Sequence, residues 1–190
     1  MNPWPDRALI LRETYDLGLF SAPELAAASE LKLAKRREEW LLSRFAAKRL
    51  ALQLGIITDP RLCSIERPFL SVEGQATPWF VSLSHSAPYA AAALGSEPIG
   101  IDVQVVREMP EAASHLFLSE EEAETMRRCT IAHRLLHFWC AKEAEWKRRS
   151  GELTTLRQVT LRLVEEREGG LRFEGVETVA ADDLIAAITD

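Results

Sequence analysis

Leu19-Phe20-Ser21-Ala22-Pro23-Glu24 returns 98 residues later as Phe117-Leu118-Ser119-Glu120-Glu121-Glu122, and on this repeat the chain reads as built twice. In each copy a serine precedes a helical pattern and a glutamate stands three residues further on. This is the capping-box arrangement, in which the two side chains satisfy backbone N–H groups that a helix start leaves unpaired. The same offset, without a gap, pairs Arg36 with Arg134, Trp40 with Phe138, Arg44 with Lys142 and Arg49 with Lys147.

Working outward from the repeat, Ala8 to Arg12 and Ile99 to Val105 each read as a strand. Each is followed by a capped helix, near 21–29 or 119–128, and then by a longer amphipathic helix, near 32–54 or 131–149. Strand pairs come next. Trp79 to Ser84 and Tyr89 to Leu94 flank a turn at Ser86-Ala87-Pro88, and Val159 to Val164 and Leu171 to Val176 flank Gly169-Gly170. The expected fold is α+β: two similar halves, residues 1–95 and 96–190, related by a pseudo-twofold, with an active site in the cleft between them.

At 190 residues and 47% hydrophobic, the chain is able to bury a real core. Its first sixteen residues contain only a four-residue apolar run, Ala8 to Leu11, so a signal-peptide core is not expected. No segment approaches the roughly 18 apolar residues of a membrane span. Cys63, Cys129 and Cys140 fit neither a zinc spacing nor a disulfide framework and read as buried small residues in a reducing compartment. The net charge of -6 argues against a general nucleic-acid binder. Residues 32–49 and 127–149 nevertheless each carry seven Lys/Arg against two Glu, while the tail from Glu165 holds eight acids against two arginines. Two basic segments in an acidic chain point to local anion sites.

The chemistry concentrates in Trp139-Cys140-Ala141-Lys142-Glu143-Ala144-Glu145-Trp146-Lys147 and in Gly100-Ile101-Asp102-Val103-Gln104. With the first a helix and the second a strand, Asp102 and Glu143 are expected to meet beside Lys142 and Lys147. Two carboxylates with flanking lysines suit a magnesium-bound polyphosphate, because Mg²⁺ is held by one or two carboxylates plus phosphate oxygens. At the offset of the repeat Glu143 falls on Phe45, so one half is expected to supply the metal and the other mainly cations. His115, His133 and His137 are read as packing residues, and Trp40, Trp139 and Trp146 as core.

Gly-Ile-Asp-Val-x at 100–104, Phe-Leu-Ser-x-Glu-Glu at 117–122 and Trp-x-Ala-Lys-Glu-Ala-x-x-Lys at 139–147 resemble the signature of the 4′-phosphopantetheinyl transferase superfamily. Ser-Leu-Ser-His-Ser at 82–86 and Lys-Arg-Arg-Glu-Glu-Trp at 35–40 are similar to its two-half, monomeric branch. The resemblance implies a cytoplasmic enzyme that moves the phosphopantetheine arm of coenzyme A onto a serine of an acyl or peptidyl carrier protein, releasing adenosine 3′,5′-bisphosphate. It implies that Asp102 and Glu143 bind Mg²⁺, that Glu143 takes the serine proton directly or through a water, and that Lys142 and Lys147 hold phosphate oxygens. His85 is implied at the pyrophosphate, Ser84 beside it among the coenzyme A-binding residues, and Lys32, Lys35, Arg36 and Arg44 at the adenosine end of coenzyme A.

Gln104, a third candidate metal ligand, stands where the family commonly has a second carboxylate. Whether it meets the metal directly, through water or not at all, this neutral group is expected to leave Mg²⁺ bound feebly alone and much better with coenzyme A. Ala87 replaces a frequent glycine, and Gly74-Gln75-Ala76-Thr77-Pro78 lacks the lysine common before the Ser-His strand. These departures leave two alternatives: a degenerate paralogue that binds coenzyme A or a carrier without transfer, and an interaction protein whose basic helices dock an acidic partner.

Overall fold

The computed structural model describes residues 6–12, 14–149 and 152–190. The chain forms two compact units, Met1–Pro98 and Ile99–Asp190.

The first unit runs β1 (Ala8–Leu11), α1 (Ala22–Ser29), α2 (Ala34–Gln53), β2 (Cys63–Glu66), β3 (Phe69–Val72), β4 (Gln75–Ser86) and β5 (Tyr89–Gly95). Its strands form one antiparallel sheet of order β1-β5-β4-β3-β2, in which the first strand pairs with the last. Ser21 caps α1 in a complete capping box with Glu24. Strand β5 is buried from Tyr89 to Leu94, and its four consecutive alanines let α2 lie close to the sheet. Leu41, Phe45, Leu50 and Ala51 of α2 pack there with Leu70, Val81, Ala92 and Leu94, so the apolar side of the helix is buried against the sheet.

The second unit runs β6 (Ile101–Val105), α3 (Glu120–Arg128), α4 (Arg134–Arg148), β7 (Leu163–Arg167), β8 (Gly170–Phe173), β9 (Val176–Ala181) and β10 (Leu184–Thr189). Its sheet, of order β6-β10-β9-β8-β7, repeats the connectivity of the first, and all its pairings are antiparallel. Ser119 and Glu122 again form a complete capping box. Phe138 meets Phe173 edge to face, with ring centroids 4.9 Å apart, and Phe117 meets Trp139 likewise at 5.0 Å.

Four strands go beyond the expected elements. β2 and β3 are short pieces between α2 and β4, and β9 and β10 occupy the acidic tail. The expected strand at Val159 to Val164 begins only at Leu163, because Val159 and Leu161 turn into the core ahead of the ladder. Lys32, expected inside the long basic helix, lies in the bend before α2.

Candidate active site

Strand β6 and helix α4 carry the site, and a glycine sets how closely they approach. A Cβ added at Gly100 would lie 1.8 Å from the Ala144 carbonyl oxygen and 3.0 Å from the Arg148 nitrogen. Only a residue without a side chain lets the strand lie against the helix backbone here. On α4, Cys140, Glu143, Ala144 and Lys147 follow the i, i+3, i+4, i+7 spacing of one helix face. On β6, Asp102 and Gln104 share a face because side chains alternate along a strand.

Asp102 is the centre of the arrangement, with 2% of its surface exposed. The Lys147 ammonium donates to its Oδ1 at 2.8 Å and to the Ile101 carbonyl at 3.0 Å. The Gln104 amide donates to its Oδ2 at 3.1 Å. Burial and the Asp102 charge push the Glu143 carboxyl up from the ordinary range, against the opposing pull of Lys147. Burial raises the Cys140 thiol strongly, and the neighbouring Asp102 adds to this, so the thiol stays protonated. The structure thus brings together Asp102, Gln104, Glu143 and Lys147. Two carboxylates, an amide and an ammonium can hold a hard cation by oxygen and attract an anion beside it. Among the described residues no group of three or more His, Cys, Asp or Glu gathers around a metal position.

Lys142 is elsewhere. Its side chain is fully buried, and its ammonium donates to Glu122 Oε2 at 2.7 Å and to the Val159 carbonyl. Glu122 also accepts from the Leu161 N–H at 2.8 Å and from the Ser119 N–H at 2.8 Å. Burial pulls the Lys142 ammonium down, and the Glu122 carboxylate opposes that. The expectation that Lys142 faces phosphate is therefore corrected: residues 142 and 143 point about 100° apart on a helix, and the first of them points into the core.

The first unit contains the same device. Lys48, also fully buried, donates to Glu24 Oε2 at 2.8 Å, to the Pro60 carbonyl at 2.6 Å and to the Cys63 carbonyl. Lys48 and Lys142 are 94 residues apart, not 98. The ungapped offset holds for the capped helices and slips by one helical turn in the long ones. Lys142 corresponds to Lys48 rather than Arg44, and Glu143 to Arg49 rather than Phe45. The β4/β5 and β9/β10 hairpins align Ala92 with Ala187, which pair with Leu9 and Asp102 respectively. Leu9 and Arg49 thus stand where the second unit has its two carboxylates.

The remaining expected residues lie in the first unit. Lys32, Lys35 and Arg36 are exposed around the start of α2. The Arg44 guanidinium stacks 3.8 Å from the Trp40 ring centroid, and burial, with Arg67 nearby, lowers it to about 10. His85 is half exposed, with Nε2 3.0 Å from Glu39 Oε2, and Lys35 lies 3.8 Å from the other oxygen of that carboxylate. Ser84 is buried, on the opposite face of β4 from His85. Sequence reasoning reads Glu24 and Glu122 only as capping-box glutamates, and it does not single out Glu39 or Lys48. For the Lys48–Glu24 and Lys142–Glu122 pairs the available signal was the capping-box glutamate, followed in each half by a lysine on an otherwise apolar helix face.

Residues 98–188 match the family model of the 4′-phosphopantetheinyl transferase superfamily. The matched span carries Asp102, Gln104, Glu122, Lys142, Glu143 and Lys147 and covers nearly all of the second unit. That unit is therefore similar to a superfamily of transferases, and phosphopantetheine transfer is the general activity the match carries. No curated protein matches the chain. Among the described residues no helix is long and apolar enough to cross a membrane.

Proposed function

We propose that this protein transfers the 4′-phosphopantetheine group of coenzyme A to a serine hydroxyl of an acyl or peptidyl carrier protein, as a cytoplasmic monomer. The observation that carries the reading is the convergence of Asp102, Glu143 and Lys147 on one face of β6 and α4, inside the span that matches the superfamily.

The donor set fits Mg²⁺: Asp102 and Glu143 offer carboxylate oxygens, and a diphosphate substrate supplies others. Bound there, the metal neutralises diphosphate charge that the protein's cations leave uncompensated. Lys147, whose ammonium lies on Asp102, holds a phosphate oxygen. His85, Lys32, Lys35, Arg36 and Arg44 serve coenzyme A, the exposed cations at its phosphates, whereas Ser84, buried on the other face of β4, does not share the His85 surface. Glu143 is the base. A carboxylate held above its ordinary range is better matched to a hydroxyl proton than a fully exposed one. The carrier serine loses its proton to Glu143 and its Oγ forms a bond to the phosphopantetheine phosphorus. The bond from that phosphorus to the bridging oxygen breaks, and adenosine 3′,5′-bisphosphate leaves with the electron pair.

Chromatography of the nucleotide products tests this. Adenosine 3′,5′-bisphosphate is expected only when coenzyme A, Mg²⁺ and an apo carrier are all present. Coenzyme A binding without any release would favour a binding module instead, the reading to which the neutral Gln104 lends itself.

A further inference from the structure

Gln104 and Asp102 sit two residues apart on β6, so their side chains share a face, and the amide Nε2 lies 3.1 Å from Asp102 Oδ2. The other oxygen, Oδ1, accepts from Lys147 at 2.8 Å. A buried carboxylate is thus held by a separate donor on each of its oxygens. An acid at position 104 would set like charges against each other in a buried place. The amide, nearly the same shape, turns that repulsion into a hydrogen bond. Donating through Nε2 also fixes the orientation of the amide, so Gln104 engages Asp102 as a donor.

Resting on the function proposed above, we infer that Gln104 is a positioning residue for Asp102 and not a metal ligand, and that its amide is what keeps divalent-cation affinity low in the substrate-free protein. Gln104 and Lys147 compete, as hydrogen-bond donors, with any cation for the Asp102 oxygens. A diphosphate brings its own oxygens and gives the Lys147 ammonium an alternative partner. Cation and diphosphate binding are therefore positively coupled, each tightening the other by the same factor.

The test is Mn²⁺ binding to the full chain, read by electron paramagnetic resonance with and without coenzyme A, for wild type, Gln104→Glu and Gln104→Met. Gln104→Met keeps the volume of the side chain and removes both its donor and its acceptor. In the presence of coenzyme A this variant is expected to bind Mn²⁺ within about threefold of wild type. A loss of tenfold or more would make Gln104 a ligand and overturn the inference. Gln104→Glu is expected to tighten Mn²⁺ binding to the free protein by about tenfold or more and to shrink the gain on adding coenzyme A. An unchanged affinity would contradict the claim that the amide keeps it low. Melting curves establish that each variant is folded before its affinity is read, and Gln104→Leu replaces Gln104→Met if that variant is not. None of these measurements involves a carrier, so failure of the transfer reaction would leave them standing and is scored separately by the nucleotide products.

Discussion

Lys147 Nζ lies 2.8 Å from Asp102 Oδ1, joining a helix to a strand across 45 residues of sequence. Asp102 is almost wholly buried and Lys147 only partly so. Removing the lysine leaves a carboxylate uncompensated in a poorly solvated place, whereas removing both charges leaves neither stranded. Lys147→Met should destabilise the protein by about 2–3 kcal/mol, and Lys147→Met with Asp102→Asn by clearly less than the sum of the single changes. Urea denaturation of the four proteins in the cycle measures this. Strict additivity would mean that the pair is not coupled.

The Lys142–Glu122 pair makes a different prediction, because it lies in the core and away from phosphate. Lys142→Met alone should cost about 3–5 kcal/mol by stranding Glu122, and Lys48→Met should do the same through Glu24. Lys142→Met combined with Glu122→Gln should recover much of that loss and bind coenzyme A with near wild-type affinity. Calorimetric titration checks the affinity. A large loss of affinity in a folded double variant would return Lys142 to the phosphate site.

Much of this fold is legible in the sequence, and the parts that are not have identifiable reasons. Ser21 and Ser119 announce their helices because the capping box is a local pattern, and both boxes form. The Gly-Ile-Asp and Lys-Glu segments meet as their types require. The register of the long helices is harder to read. A shift of four residues is close to one turn, so it leaves an amphipathic stripe on nearly the same face. An ungapped comparison therefore accepted Arg44 as the counterpart of Lys142, and only the tertiary partners show it to be Lys48. Strand β10 is hard to read because its apolar stretch, Leu184 to Ile188, shows no alternation: it is buried on both faces, as inner strands are, and sits in an acidic tail. The direction of Lys142 was illegible for a further reason. A lysine beside the glutamate proposed as the base looks solvated until its own carboxylate partner, twenty residues earlier, is identified.

Gly100→Ala probes the approach of β6 to α4. The new methyl would overlap the Ala144 carbonyl oxygen, at 1.8 Å, and neither strand nor helix backbone can yield cheaply. The expected cost is about 1–3 kcal/mol, typical of overpacking, with weaker Mn²⁺ binding as Asp102 moves away from Glu143. Urea denaturation and a Mn²⁺ titration read the two effects. A substitution that changes neither would disprove the close approach.

His137 supplies a prediction for pH. Its ring is buried, Nδ1 lies 2.8 Å from Thr178 Oγ1, and burial with the nearby His133 lowers its pKa to about 4. In the unfolded chain the ring titrates near 6.5, so between these values the unfolded state binds more protons. Stability present above about pH 6.5 should therefore decline as pH falls to about 4, by up to about 3 kcal/mol from this group. Denaturation curves at several pH values, compared with those of His137→Gln, isolate the contribution. A difference between the two proteins that does not change from pH 7.5 to 4.5 would rule it out.

The central claim is transfer with Glu143 as the base, and intact-mass spectrometry of an apo carrier protein incubated with this protein, coenzyme A and Mg²⁺ tests it most directly. The wild type should add a phosphopantetheine mass to the carrier, and a folded Glu143→Gln variant that still binds coenzyme A should add none or only a trace. No mass gain on several apo carriers, or an undiminished gain with Glu143→Gln, would contradict the account.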